Sequence, residues 1–111
     1  MIFEPKQIRQ HEVSVSELAA LLRTGGALVV DVREPEEFSA GHIPGAINMA
    51  LSPFRPSQLP DPGDKLLVLN CAAGRRSAMA LNKCAAAQSE IDTHLAGGFS
   101  AWQAAGLEVE G

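Results

Sequence analysis

The sequence is poor in the residues that build disulfide scaffolds and metal sites. It contains only two cysteines, Cys71 and Cys84, and three histidines that lie far apart in the chain. Two cysteines are too few for the disulfide framework of a small secreted domain, and scattered histidines offer no metal-ligand cluster. We therefore expect a fold that is held together by its hydrophobic core, with no bound metal or other cofactor.

Long apolar runs are also absent. No stretch reaches the roughly 18–20 apolar residues that a membrane-spanning helix needs. The polar first twelve residues, MIFEPKQIRQHE, lack the continuous apolar segment of a signal peptide. We therefore expect a cytoplasmic protein without a membrane partner. The formal net charge of −4 also argues against nucleic acid as a partner, because phosphate binding favours a cationic face.

What the sequence does have is the composition of one ordinary globular domain. Its 111 residues are 46% hydrophobic and 20% charged, which is enough to bury one core. No repeat or linker interrupts the chain. We therefore predict a single domain over residues 1–111.

Segments typical of helices alternate with segments typical of strands. Ser14 and Glu17 fit a capping box that starts a helix, and Gly25 with Gly26 ends it. Strands are predicted at residues 28–30, 46–49, 65–70 and 91–96, and further helices at 35–40, 77–88 and 98–105. This alternation predicts an α/β fold with a mainly parallel sheet. Sites in such sheets lie at the carboxyl ends of strands, where Asp31 and Cys71 fall.

The most informative segment is LLVLNCAAGRRS, residues 66–77. A buried strand ends at Cys71, and a helix is predicted from Ser77. A thiol becomes a good nucleophile only as the thiolate, which nearby cations and a helix N-terminus favour. Small residues allow backbone N–H groups to turn toward an anion. The segment between cysteine and serine supplies both features: Ala72, Ala73, Gly74, Arg75 and Arg76.

The number of residues between Cys71 and Arg76 limits the kind of group that the loop can hold, and therefore the reactions it can support. Four residues separate Cys71 from Arg76, whereas cysteine-dependent phosphate-monoester hydrolases use five in a comparable loop. A tighter ring suits one extra sulfur atom better than a tetrahedral phosphoryl group. A phosphatase or arsenate reductase therefore stays open only as a third hypothesis.

Three segments together carry a family resemblance. They are VVDVREPEEFSAGHIPGAIN (29–48), VLNCAAGRRS (68–77) with the pattern C-x-x-G-x-R-S, and LAGGFSAWQAAGLEV (95–109). In this order and spacing the chain resembles the rhodanese-like domain, the single-domain sulfurtransferase type. The resemblance implies a central sheet of about five mainly parallel strands, flanked by helices on both faces.

The resemblance also implies roles for residues. Cys71 would take a sulfane sulfur from thiosulfate or a persulfide and pass it to a thiol or cyanide acceptor. The backbone N–H groups of residues 72–77 would stabilise the persulfide anion, and Arg76 would orient the loop or bind the anionic donor. Asp31 and Arg33 would brace the loop. The hypothesis requires a thiol that is in contact with water and loop N–H groups that point at the sulfur.

One departure from the family keeps a second function open. Many members have a basic residue directly after the cysteine, where this chain has Ala72. Cys71 would then receive sulfur from one protein and hand it to another. Of the remaining residues, Cys84 is predicted to pack in the core, and Gly97 and Gly98 to form a tight turn near the site. No histidine is predicted to act as a general base, and Glu34, Glu36 and Glu37 are interpreted as helix N-terminal charges.

Overall fold

A computed structural model describes residues 10–111 of the chain; residues 1–9, which belong to the segment predicted not to be a signal peptide, lie outside it. Five strands form one sheet: β1 (His11–Val13), β2 (Ala27–Asp31), β3 (Ile47–Asn48), β4 (Leu66–Asn70) and β5 (Thr93–Leu95). Within residues 10–111, three helices connect strands, α1 (Val15–Arg23), α2 (Pro35–Ala40) and α3 (Arg75–Ala86), and a fourth, α4 (Gly98–Ala104), follows β5. A short 3-10 helix covers Pro56–Gln58.

The strands lie in the order β1-β5-β4-β2-β3, and all the pairings between them are parallel. Side chains of α1 and α4, such as Leu18 and Trp102, pack on one core cluster, and those of α3, such as Leu81, pack on the other. A sheet that is covered on both faces needs apolar side chains on both sides of each central strand. The predicted α/β fold, with five parallel strands and helices on both faces, is confirmed.

The sequence signals for α1 are also confirmed. Ser14 Oγ accepts a hydrogen bond from the backbone N–H of Glu17, and Glu17 Oε1 accepts one from the N–H of Ser14, both at 3.1 Å. This reciprocal pair satisfies two N–H groups that the first turn leaves free. It fixes where the chain leaves β1 and enters α1.

Several elements differ from the prediction, most of them by one or two residues at a boundary. The three-residue edge strand β1 was not predicted, because so short a segment shows no recognisable periodicity. The predicted start of α3 at Ser77 is wrong by two residues, because Gly74 in the left-handed conformation (φ 104°) is the residue that precedes the first turn. Among residues 10–111, no helix is long and apolar enough to cross a membrane.

Candidate active site

The fold places Cys71 at the carboxyl edge of the sheet, next to the point where the strand order reverses. Cys71 directly follows β4, whose last residue Asn70 pairs with Asp31 at the end of β2. The chain runs from β2 outward to β3 and then returns to β4 on the other side of β2. Such a reversal of strand order opens a crevice between the loops that follow the two strands. The predicted position of Asp31 and Cys71 is therefore confirmed.

The loop after Cys71 points polar hydrogens at the sulfur. The Gly74 N–H donates to Cys71 Sγ with an N···S distance of 3.0 Å, and Ser77 Oγ lies 3.5 Å from the same sulfur. Burial alone would raise the pKa of Cys71. Hydrogen bonds from the Ser77 side chain and from the backbone N–H groups of Ser77, Gly74 and Ala73 outweigh burial, so the pKa lies below its ordinary value. Such bonds favour the thiolate.

The second cysteine shows what burial does without such a loop. Cys84 lies in the core between α3 and the sheet, and both cysteines are free. Burial raises the pKa of the Cys84 thiol, and a weaker hydrogen bond with Ser89 only partly opposes the rise. The predicted core role of Cys84 is confirmed, and the contrast shows that the loop makes Cys71 different.

The N-terminus of α4 holds the loop in this orientation. The N–H of Phe99 donates to the Cys71 carbonyl at 2.7 Å, and the N–H of Ser100 donates to the Ala72 carbonyl at 2.9 Å. Because these two carbonyls point toward α4, the N–H groups of the loop residues that follow them point toward the sulfur. Gly97 and Gly98 both have positive φ, of 74° and 62°, so the predicted tight turn beside the site is confirmed.

One requirement of the sequence hypothesis is not met. Cys71 is only 1% exposed, so the prediction of a thiol in contact with water is wrong. The sulfur lies at the floor of the loop, since the loop curls over it and places the Gly74 N–H at 3.0 Å. The residues above the sulfur have small side chains, Ala72, Ala73 and Gly74, so the cover consists mainly of backbone.

The two arginines lie in the first turn of α3, not in the loop, and their surroundings differ. Arg75 is exposed. Arg76 forms a two-pronged ion pair with Glu37 of α2, with N···O distances of 2.6 Å and 3.0 Å. A paired guanidinium of this kind fixes geometry as well as charge. The ion pair ties α2 to the start of α3, which fits the predicted orienting role of Arg76 better than direct donor binding.

The two residues that were predicted to brace the loop form a buried ion pair. Arg33 Nε and Nη2 donate to both carboxylate oxygens of Asp31 at 2.9–3.1 Å, and Nη2 also donates to the Gly41 carbonyl at 2.7 Å. The guanidinium carbon lies 4.4 Å from the centre of the Phe99 ring. Because the N–H of Phe99 holds the Cys71 carbonyl, Arg33 contacts the loop's support rather than the sulfur.

Sequence reasoning missed two residues at this site. His94, the middle residue of β5, places Nδ1 2.8 Å from Ser77 Oγ, and Glu37 pairs with Arg76. For His94 a weak signal existed, because it lies two residues before the carboxyl end of the strand predicted at residues 91–96, and sites collect near such ends. For Glu37 no local signal existed, since its acidic neighbours equally suit a helix N-terminus.

The Glu37–Arg76 pair makes stability depend on pH in a defined window. The hydrogen bond from Arg76 lowers the pKa of Glu37 from 4.5 to about 2. The stabilising contribution is complete above pH 4.5 and is lost as the pH falls toward 2. Both side chains are partly exposed, so we expect at most about 1 kcal/mol. Glu37→Gln should remove this pH dependence from urea unfolding curves, and Glu36→Gln, in the same helical turn, should keep it. A Glu37→Gln protein with the wild-type profile would contradict the assignment.

Among residues 10–111, no group of three histidine, cysteine or acidic side chains is placed to hold a metal ion.

Comparison with known proteins agrees with this geometry. A family model of the rhodanese-like domain matches residues 14–105. An uncharacterized protein of Synechocystis is 43% identical over 90 residues, which cover 81% of this chain and 50% of that protein. Thiosulfate:glutathione sulfurtransferase of Homo sapiens is 31% identical over 104 residues, which cover 81% of this chain and 90% of the human protein.

A solved structure shows the same fold. The rhodanese-like domain of an Anabaena protein superposes with a TM-score of 0.79 at 25% identity, covering 92% of this chain and 80% of that chain. The chain spans half the length of the Synechocystis relative but most of the human one. The matched residues 14–105 include β2, the cysteine loop and the start of α4. The chain belongs to the rhodanese-like domain family and is, at the level of that family, a rhodanese-type sulfurtransferase.

Proposed function

We propose that this chain, as a single domain over residues 1–111, moves a sulfane sulfur from thiosulfate or a persulfide donor to a thiol or cyanide acceptor. The sulfur travels as a persulfide on Cys71. The observation that carries the proposal is the Cys71 thiol, whose pKa is lowered by hydrogen bonds that outweigh its burial. The name of the human relative, with thiosulfate as donor and glutathione as acceptor, is consistent with it.

The proposed reaction is a double displacement through a covalent intermediate. The Cys71 thiolate attacks the outer sulfur of thiosulfate, the S–S bond of the donor breaks, and sulfite leaves with the bonding electron pair. The enzyme then carries Cys–S–S⁻, and the charge is conserved. An acceptor thiolate or cyanide attacks the terminal sulfur, and Cys71 leaves as the thiolate. No redox partner is needed.

The N–H groups around Cys71 suit this intermediate, and because the resting thiol is only 1% exposed, the proposal requires the loop to open before a donor reaches the sulfur. The N–H groups of the loop are fixed by α4 before any sulfur arrives, and such preorganised donors stabilise charge that develops in their centre. A persulfide adds one sulfur atom beyond Sγ. The loop residues next to that position have small side chains, which occupy little space. Arg75 is the exposed cation beside the loop, and it supplies attraction for an anionic donor. Arg76 acts through its pairing with Glu37.

A second function, transfer between proteins, is favoured by two observations. The sulfur is buried, and the loop offers a small donor few side-chain contacts. Met79, on α3 one turn beyond Arg75, is 48% exposed, and exposed apolar side chains near a site suit a protein partner. In this alternative, Cys71 is loaded by a protein persulfide and shows little turnover with small donors.

Steady-state rates with thiosulfate and with glutathione persulfide, each with cyanide and with glutathione as acceptor, separate these functions. Turnover of a small donor that is lost in Cys71→Ser supports the enzyme. Rapid loading from a cysteine desulfurase with slow turnover of every small donor supports the carrier. Cys71-dependent hydrolysis of an aryl phosphate, with no sulfur transfer, would overturn both functions in favour of the phosphatase hypothesis.

A further inference from the structure

His94 is the buried titratable side chain nearest the candidate nucleophile that the proposed function does not use. It is 5% exposed and lies on β5 beside Leu69 of β4. Its Nδ1 is 2.8 Å from Ser77 Oγ, and Ser77 Oγ is 3.5 Å from Cys71 Sγ. Three side chains from β5, α3 and the end of β4 therefore form one hydrogen-bonded chain that ends on the sulfur.

The burial of Cys71 creates a need for such a chain. A thiol that becomes a thiolate must release its proton, and a sulfur that is 1% exposed has little direct contact with water. Ser77 has one hydroxyl proton, which can be donated to the Gly74 carbonyl at 3.1 Å or to His94 Nδ1. When the hydroxyl donates to His94, its oxygen is free to accept the proton of the thiol.

We propose that His94 is a positioning residue that takes up the proton of Cys71 through the hydroxyl of Ser77. The S–H bond of Cys71 breaks as its proton moves to Ser77 Oγ, and the original Ser77 hydroxyl proton moves to His94 Nδ1. The products are a thiolate, an unchanged serine hydroxyl and an imidazolium, and no atom is oxidised or reduced. The inference deepens the proposed function, because it concerns how the nucleophile is formed.

The surroundings of His94 support this assignment. Burial lowers the pKa of His94, and the Glu12 carboxylate raises it in part, so the imidazolium depends on Glu12 and on the Cys71 thiolate, and not on water, for its stabilisation. The charged groups that face the ring are Glu12 of β1, whose carboxylate lies 3.7 Å from Nε2, and Cys71 through Ser77. Glu12 attracts the imidazolium once it forms.

A cleft gives the proton a route to solvent. It has a volume of about 390 Å³ and is lined by His94 and Glu12 together with Gln10, Ala73, Gly74 and Ala78. One wall of the cleft is therefore the outer side of the cysteine loop, and His94, which lines the cleft, contacts Ser77, which in turn contacts the sulfur.

The test measures the reactivity of Cys71 against pH. Wild type, His94→Asn and the control His11→Asn, which replaces an exposed histidine of β1, are alkylated with iodoacetamide, and peptide mass spectrometry follows Cys71 separately from Cys84. An asparagine amide accepts the bond from Ser77 but takes up no proton. We expect His94→Asn to react about tenfold more slowly than wild type at pH 7, equivalent to about one pKa unit. The difference should vanish at high pH, and His11→Asn should match wild type.

A double-mutant cycle shows whether Ser77 is the link. In a Ser77→Ala background, adding His94→Asn should cause no further slowing, because the path to the sulfur is already broken. Superimposable pH profiles for wild type and His94→Asn, or additive slowing in the double variant, would overturn the inference. Alkylation uses no sulfur donor, so its result stands apart from failure or success of sulfur transfer.

A second readout avoids any change at His94. In wild type, NMR titration of the His94 ring should show a pKa coupled to the thiolate. Cys71→Ala removes that anion, so the pKa of His94 should fall. An unchanged His94 titration in Cys71→Ala would overturn the inference, even if His94→Asn were poorly folded.

Discussion

Thiosulfate is expected to add the mass of one sulfur atom to the wild-type protein and nothing to Cys71→Ser. The reason is that Cys71 is the cysteine whose loop lowers its thiol pKa, whereas burial raises the pKa of Cys84. A serine hydroxyl keeps the size of the side chain but forms no persulfide. Intact-mass measurement after removal of free thiosulfate reads the result directly.

The matched control is Cys84→Ala, which removes the other thiol and leaves the loop intact. It should gain the same mass as wild type, and a reducing thiol should remove that mass from both proteins. Two results would contradict the assignment of Cys71: an adduct on Cys71→Ser, or an unmodified wild type after treatment with both thiosulfate and glutathione persulfide.

Gly98→Ala should damage both the fold and the site. A Cβ at this position would lie 2.5 Å from the Cys71 carbonyl oxygen and 2.7 Å from the backbone of Ala72. These are backbone atoms of the loop and move only if the loop moves. The positive φ costs about 1–2 kcal/mol for any side chain, and overpacking of this kind adds about 1–3 kcal/mol.

Gly25→Ala separates the two costs. Gly25 has a similar φ of 72°, but a Cβ there meets nothing within 4 Å. Urea unfolding should therefore show the backbone cost alone for Gly25→Ala, and about 1–3 kcal/mol more for Gly98→Ala. Sulfur loading should fall only in Gly98→Ala, since only that variant displaces the N–H groups around Cys71. Equal destabilisation of the two variants with unchanged loading would show that α4 does not hold the loop.

The sequence was sufficient for the architecture because its signals were local. Buried β-branched runs, the Ser14–Glu17 capping box and the glycine stops each act within a few residues, and they place β2, α1 and β4 correctly. The start of α3 was misplaced because serine is a common N-cap, whereas here a left-handed Gly74 precedes the helix and Ser77 sits inside the first turn. The Gly74 N–H donates to the Cys71 sulfur, and α3 begins at the residue that follows Gly74.

The contacts that complete the site join residues far apart in the sequence, so patterns within a few residues could not predict them. Glu37 and Arg76 are 39 positions apart in sequence, and Ser77 and His94 are 17 apart. Their meeting depends on the order of strands in the sheet, which places β5 next to β4 and α2 above the start of α3. The depth of Cys71 follows from the same cause, because the α4 N–H groups that pull the loop into shape come from a distant segment.

The depth of Cys71 bears on how long the protein would stay active under oxidative stress. Peroxides convert accessible thiolates to sulfenic acid and then irreversibly to sulfinic and sulfonic acids, and susceptibility rises with exposure as well as with ionisation. A sulfur with 1% exposure has a pKa that its neighbours lower, yet it is shielded from oxidants that arrive from bulk water. Two or three added oxygen atoms would also crowd a loop whose Gly74 N–H already lies 3.0 Å from the sulfur. The same enclosure that slows a donor's approach would thus protect the nucleophile from permanent damage.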